Sequence, residues 1–167
     1  MNTTVKLNDQ ELDLARKIAS LRHGSSREAG VYNAKVGPQS NFETDFSGMC
    51  GEIAFCKLFN CYPDLAIVAG GADYDCIVQG LRVDIKTTKY PKGRLLSSAK
   101  KEYPNIDVFA LMTGDVMSGE FRFAGWARSD EIRSEENISE EFKGSYKLEQ
   151  EDLHDAYDID SGRLYEE

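Results

Sequence analysis

The stretch from Tyr74 to Thr88, YDCIVQGLRVDIKTT, constrains the fold more than any other part of the chain. Apolar and polar residues alternate on both sides of Gln79-Gly80, where glycine supplies the positive φ that primed hairpin turns need, so the segment predicts a two-stranded antiparallel ribbon. Asp73, Asp75, Ile77, Arg82, Asp84 and Lys86 fall on one face, and Tyr74, Cys76, Val78, Leu81, Val83 and Ile85 on the other. This pairing sets Asp75 opposite Asp84, and Asp73 opposite Lys86. Directly opposed residues have Cβ atoms about 4.5 to 5.5 Å apart, where like charges repel. A divalent cation between the two carboxylates would remove that repulsion.

A chain of 167 residues has room for one packed domain, 1–167, with a core of about 44–133 and an acidic C-terminal segment, 134–167. No window approaches the roughly 20 apolar residues of a membrane span. The opening MNTTVKLNDQELDL lacks the basic and apolar blocks of a signal peptide, so a cytoplasmic location is expected. Cys50, Cys56, Cys61 and Cys76 follow none of the paired short spacings of zinc sites and read as free, buried thiols of a reducing compartment. His23 and His154 stand far apart, which disfavours histidine-based chemistry.

A net charge of −9 argues at first against a nucleic-acid partner, since phosphate contacts dominate such affinity. The charge is unevenly spread. Residues 130–167 hold 4 Lys/Arg against 14 Asp/Glu, which leaves 16 against 15 before them. Arg82, Lys86, Lys89, Lys92, Arg94, Lys100 and Lys101 crowd residues 82–102, with only Asp84 and Glu102 to oppose them. A basic run thus directly follows the acidic ribbon.

Residues 8–23 predict a helix, with Asn8 as N-cap, Glu11 closing a capping box, a Leu7–Leu12 staple and Gly24 as its end. Residues 25–42 read as a long loop carrying Arg27 and Lys35, placed to close over a substrate. A second helix is expected from about Thr44 to Asn60, with Glu52 amid apolar neighbours where an acid needs a partner. Further strands are expected at Leu65–Val68, Ile106–Thr113 and Phe121–Ala127, with a helical turn around Leu95–Glu102 and a short helix over Asp130–Arg133 capped by Ser129. The tail reads as weakly patterned, with Leu153, Tyr157 and Ile159 as limited anchors. That order of elements describes an α/β core, a mixed sheet with flanking helices.

Mg²⁺ takes oxygen ligands, commonly one or two carboxylates plus waters and substrate phosphates, and Asp75 with Asp84 offers such a pair. Lys86 projects from the same face, where its ammonium can hold a water or offset charge on a phosphoryl transition state. Glu52 would complete a second metal position or orient the water if its helix packs beside the ribbon.

This constellation, covering roughly Gly48 to Trp126, resembles the PD-(D/E)XK nuclease superfamily, which includes restriction endonucleases, phage nucleases and Holliday junction resolvases. The family pattern is a helical acid, here Glu52 in GEIAF, an aspartate before an apolar strand, here Asp75 before CIV, and (D/E)xK on the next strand, here Asp84-Ile85-Lys86. Tyr74 stands where the eponymous proline would be, and Asp73 is a rival to Asp75. The resemblance implies a restriction endonuclease-like core, a central mixed β-sheet of four to five strands flanked by α-helices. It implies Mg²⁺ held by Asp75, Asp84, the Ile85 carbonyl and Glu52, with Mn²⁺ able to substitute, and Lys86 acting at the water. The expected function is a Mg²⁺-dependent DNA endonuclease, with Lys89, Lys92, Arg94, Lys100 and Lys101 meeting the phosphate backbone and a homodimer presenting two centres. Its rival is a catalytically inactive nucleic-acid-binding or protein-binding module that keeps the fold, with the acidic tail mimicking nucleic acid or covering the basic run.

Overall fold

The computed structural model describes residues 3–30, 40–68 and 73–156. In chain order its elements are β1 (Thr4–Lys6), α1 (Asp9–Glu28), α2 (Asn41–Leu58), β2 (Cys76–Val78), β3 (Leu81–Thr88), β4 (Leu95–Ser98), β5 (Val108–Asp115), β6 (Glu120–Arg128), α3 (Ser129–Ile132) and β7 (Ser145–Leu148).

Asn8 caps α1 as its sequence predicts: its side chain accepts from the Glu11 N–H at 2.8 Å, and the Glu11 carboxylate accepts from the Asn8 N–H at 2.7 Å. The helix does not stop at Gly24. Its end lies at Glu28, and the left-handed glycine beyond it is Gly30, at φ 75°. Helix α2 also starts earlier than expected, because Ser40 and Glu43 form a second capping box inside what reads as loop. Phe46, Met49, Cys50, Ile53, Phe55 and Cys56 are all buried, since α1 covers one side of α2 and the sheet the other. Arg27 belongs to α1, and Lys35 lies outside the described residues.

Among the described residues the main sheet has five strands in the order β1-β6-β5-β3-β2. Strands β3 and β5 run parallel and the other neighbours antiparallel, giving the mixed sheet expected. The ribbon keeps the register read from the sequence, with Cys76 against Val83, Ile77 against Arg82 and Val78 against Leu81. Gln79 at φ 50° and Gly80 at φ 83° make its two-residue primed turn. Strand β5 is buried on both faces. Its Val108, Ala110 and Met112 join the cluster under α1 and α2, while Phe109 and Leu111 pack on the other side with Leu95, Ile106 and Ile132.

Three expectations fail. Residues 65–68 form no strand, because Arg22 on α1 donates to the Ala66 carbonyl at 3.0 Å and the Asp64 carbonyl at 2.7 Å, taking acceptors a neighbouring strand would need. Residues 95–98 form a strand in place of a helical turn. Their partner, β7, comes from the acidic tail, so that segment is tied down by a second, two-stranded sheet and by bridges such as Trp126 to His154. Ser129 opens α3 from its first turn, and Arg128 holds the cap position. The anchors expected at Tyr157 and Ile159 lie outside the described residues. No helix among the described residues is long and apolar enough to cross a membrane.

Candidate active site

Helix α2 reaches the ribbon at Gly51. A Cβ there would lie 1.9 Å from Thr87 Oγ1, so this close approach of helix and strand requires glycine. The next residue, Glu52, is thereby set beside β3, with its side chain only 13% exposed. Arg22 Nη1 donates to Glu52 Oε2 at 3.2 Å, while the rest of that guanidinium is fixed by the Asp64 and Ala66 carbonyls. Burial pushes the Glu52 carboxyl up to about 7; Arg22 pulls it down, and the nearby Asp84 and Asp64 carboxylates push it further up.

Asp75 stands one residue before β2, where the regular pairing has ended: its N–H donates at 2.8 Å to the carbonyl of Val83, the residue already paired with Cys76, so the alternation that would set Asp75 squarely opposite Asp84 does not extend to it. Its Oδ2 accepts from the Ile85 N–H at 2.6 Å. Burial, then the neighbouring Glu52 and Asp84 carboxylates, raise its pKa well above the usual range, and the Ile85 N–H and Lys86 offset this only in part. Asp73 lies elsewhere, exposed and accepting from Asn105 Nδ2 at 3.1 Å. Tyr74 packs into the cluster beneath β4, so the alternation assumed upstream of Cys76 does not hold.

Asp84 is 9% exposed. Lys86 Nζ lies 2.5 Å from its Oδ1, a close ion pair off the angles of a hydrogen bond, so that buried oxygen has no hydrogen-bond partner among the described residues. The Lys86 ammonium also sits over the Tyr103 ring at 5.5 Å and the Phe109 ring at 5.8 Å. Burial works to lower the Lys86 pKa, but Asp84 foremost, with Tyr103 and Asp75, outweighs it and the net shift is upward. Arg22 and Tyr103 are the parts of this corner the sequence does not announce. Arg22 sits on a helix 30 residues before Glu52, and Tyr103 follows a run that reads as a helical turn with no tie to the ribbon.

Glu52, Asp75, Asp84 and Lys86 are thus brought into one electrostatic unit, with Ile85 contributing through its backbone. Three acids against one lysine and one arginine make a donor set of hard oxygens with charge to spare, which fits a divalent cation. The three carboxylates do not all converge. Among the described residues the one trio of potential ligand atoms lying within 4.8 Å of one another is Cys56, Cys61 and Cys76. An Asp75–Asp84 pair with waters and phosphate oxygens is the donor set that fits Mg²⁺, with Glu52 held beside it by Arg22.

Of the basic run, Lys89, Lys92, Lys100 and Lys101 are exposed. Lys101 Nζ lies 5.0 Å from the Tyr103 ring centre, which brings it close to Lys86. Arg94 is engaged differently: its Nε lies 3.0 Å from Glu149 and its Nη1 3.1 Å from Glu141, and Lys147 reaches the same two carboxylates. A cleft of about 500 Å³ lined by Leu81, Asp107, Val108, Arg128 and Arg133 includes none of the four ribbon and helix residues. No protein-family model, no curated protein and no solved structure matches this chain.

Proposed function

We propose that this chain is a metal-dependent nuclease of the PD-(D/E)XK type, with a restriction endonuclease-like core, that hydrolyses phosphodiester bonds in DNA. The observation that carries the reading is the cluster of buried acids beside β3: Asp75, whose carboxylate accepts from the Ile85 N–H, Asp84, ion-paired to Lys86, and Glu52, electrostatically joined to both. Bound Mg²⁺ or Mn²⁺, held by Asp75, Asp84 and the Ile85 carbonyl with Glu52 alongside, would supply Lewis acidity and an acidified water. Lys86, kept protonated by Asp84, would offer its N–H to a water at the metal or to the phosphoryl oxygens. Glu52, held in place by Arg22, would stand beside the metal and orient the water. Lys89, Lys92, Lys100 and Lys101 receive the phosphate backbone, and two copies of the chain would present one centre to each strand.

The decisive experiment is a cleavage panel on plasmid, linear duplex, flap and four-way-junction DNA with Mg²⁺ or Mn²⁺, run beside Lys86→Ala. Cutting by the native chain and its loss in the variant are expected. The engagement of Arg94 by two glutamates and the incomplete convergence of the carboxylates favour a second reading, a non-catalytic binding module. Absence of cutting on every DNA and on RNA would select it. Mg²⁺ binding unaltered by Asp75→Asn and Asp84→Asn would remove the metal site itself.

A further inference from the structure

The tightest group of metal-ligating atoms in the described structure is not carboxylate. The sulfurs of Cys56, Cys61 and Cys76 all lie within 4.8 Å of one another, and none is in a disulfide. They come from three places: the last turn of α2, the connector after it, and the first residue of β2. Asn60, at φ 51°, takes the left-handed position after the helix, and the Cys61 N–H donates back to the Cys56 carbonyl at 2.9 Å. This terminating motif folds Cys61 over Cys56, a contact that ordinarily joins two apolar side chains. Apolar packing accounts for such a pair, but it gives no reason for the third sulfur arriving from the sheet.

We propose that Cys56, Cys61 and Cys76 bind a single thiophilic metal ion of the zinc class, clamping the end of α2 to the start of β2. Zinc–sulfur bonds of about 2.3 Å in a tetrahedron put the sulfurs about 3.8 Å apart, so closing on an ion takes a contraction of at most about 1 Å. A disulfide would join two of these thiols and strand the third. Cys56 and Cys76 are 2% and 3% exposed, which shields the ion, while Cys61 is half-buried and leaves both an entry path and a fourth position for water. Soft thiolates select such an ion over Mg²⁺, so this site and the carboxylate corner take different metals. Cys76 adjoins Asp75, and Cys56 lies one helical turn beyond Glu52; the clamp would therefore fix the spacing of two acids on which the proposed nuclease depends.

Titration of Co²⁺ into the reduced, chelator-treated full chain tests this directly. Thiolate-to-cobalt charge-transfer absorption saturating at one equivalent is expected, with Zn²⁺ displacing it. Zn²⁺ at a hundredfold excess over its Kd should raise Tm by at least about 5 °C. Cys61→Ser should weaken Co²⁺ binding by at least about tenfold, whereas Cys50→Ser, a buried thiol outside the trio, should leave the band intact. Asp75→Asn with Asp84→Asn should also leave it intact, which separates this site from the carboxylate corner. A folded native chain that shows no thiolate band, or a band undiminished by Cys61→Ser, overturns the proposal. Should Cys61→Ser fail to fold, native mass spectrometry of the unaltered chain decides by the presence or absence of one tightly held zinc.

Discussion

Two ribbons flank the core, and they treat charge in opposite ways. Beside β2–β3 the acids Asp75, Asp84 and Glu52 crowd together, and the buried Asp84 Oδ1 has only an off-angle lysine for company. At β4–β7 and its flanks Arg94 and Lys147 each face both Glu141 and Glu149, mostly in partial solvent. The second arrangement is electrostatically settled and is worth little, since exposed pairs contribute about 0 to 1 kcal/mol. The first is unsettled, because crowding acids away from water costs free energy unless a cation or a proton joins them. That difference is why the proposed chemistry is placed at the first ribbon and not at the second.

The largest test of this contrast removes Lys86, the ribbon cation that stands among the crowded acids, Arg82 being engaged by Asp107. Lys86→Ala should lower the cleavage rate by about 10²- to 10³-fold or more, the scale of losing one transition-state donor, while Arg94→Ala should leave the single-turnover rate at saturating protein close to native. Equal losses in the two variants would erase the distinction between the ribbons.

The second test reads the unsettled charge through pH. Glu52 has a folded pKa of about 7 against 4.5 in its unfolded reference, so between these values the folded chain holds a proton that unfolding releases. Stability without metal must therefore fall as pH rises from about 4.5 to about 7, by on the order of 2 to 3 kcal/mol from this group, and level off above. Asp75 shifts in the same direction and adds to the slope. Glu52→Gln should flatten the curve of Tm against pH in chelator, and Mg²⁺ should recover stability on the alkaline side in the native chain. An unchanged slope in the variant would mean that Glu52 is not the buried acid it is taken to be.

The contrast also explains what could be read in advance. The β2–β3 ribbon is local: a Gln79-Gly80 turn and alternation specify its register from Cys76 to Val83, while Asp75, just before the strand, joins the other acids through its side chain and not through that register. The capping box of α1 is equally local. The β4–β7 pairing joins Leu95 to Leu148, and neither four-residue strand carries an alternation strong enough to announce it. Residues 65–68 have strand composition, but Arg22 from α1 claims the Ala66 carbonyl and that of Asp64 just before them. Asp73 and Asp75 both precede the start of β2, where the alternation no longer holds, and it is their contacts, Asp75 with the Ile85 N–H and Asp73 with Asn105, that tell them apart. The thiol trio was hidden for the same long-range reason, since its spacing in sequence matches no metal motif and only the helix terminator and the sheet assemble it.

Gly51 offers a test of how the helical acid is positioned, with a smaller expected effect. An alanine Cβ would meet Thr87 Oγ1 at 1.9 Å and its Cβ at 2.9 Å, so Gly51→Ala should destabilise by about 1 to 3 kcal/mol through overpacking. Thr87 Oγ1 is buried without a hydrogen-bond partner among the described residues, so Thr87→Ala loses little and should recover much of that loss in the double variant. Thermal or denaturant unfolding of the four proteins gives the coupling. Additive effects would show that α2 and β3 do not meet here, and would detach Glu52 from the ribbon.

The smallest effect concerns the settled ribbon. Glu141→Gln with Glu149→Gln removes the partners of Arg94 and Lys147, yet stability should change by less than about 1 kcal/mol because the pairs are partly solvated. DNA binding should respond more clearly. If the two glutamates hold Arg94 away from phosphate, the double variant should bind duplex DNA several-fold more tightly at low salt. The slope of log affinity against log salt should steepen by about 1 for each further phosphate that a freed cation neutralises. An unchanged slope would assign Arg94 wholly to the β4–β7 sheet and leave the phosphate backbone to the exposed Lys89, Lys92, Lys100 and Lys101.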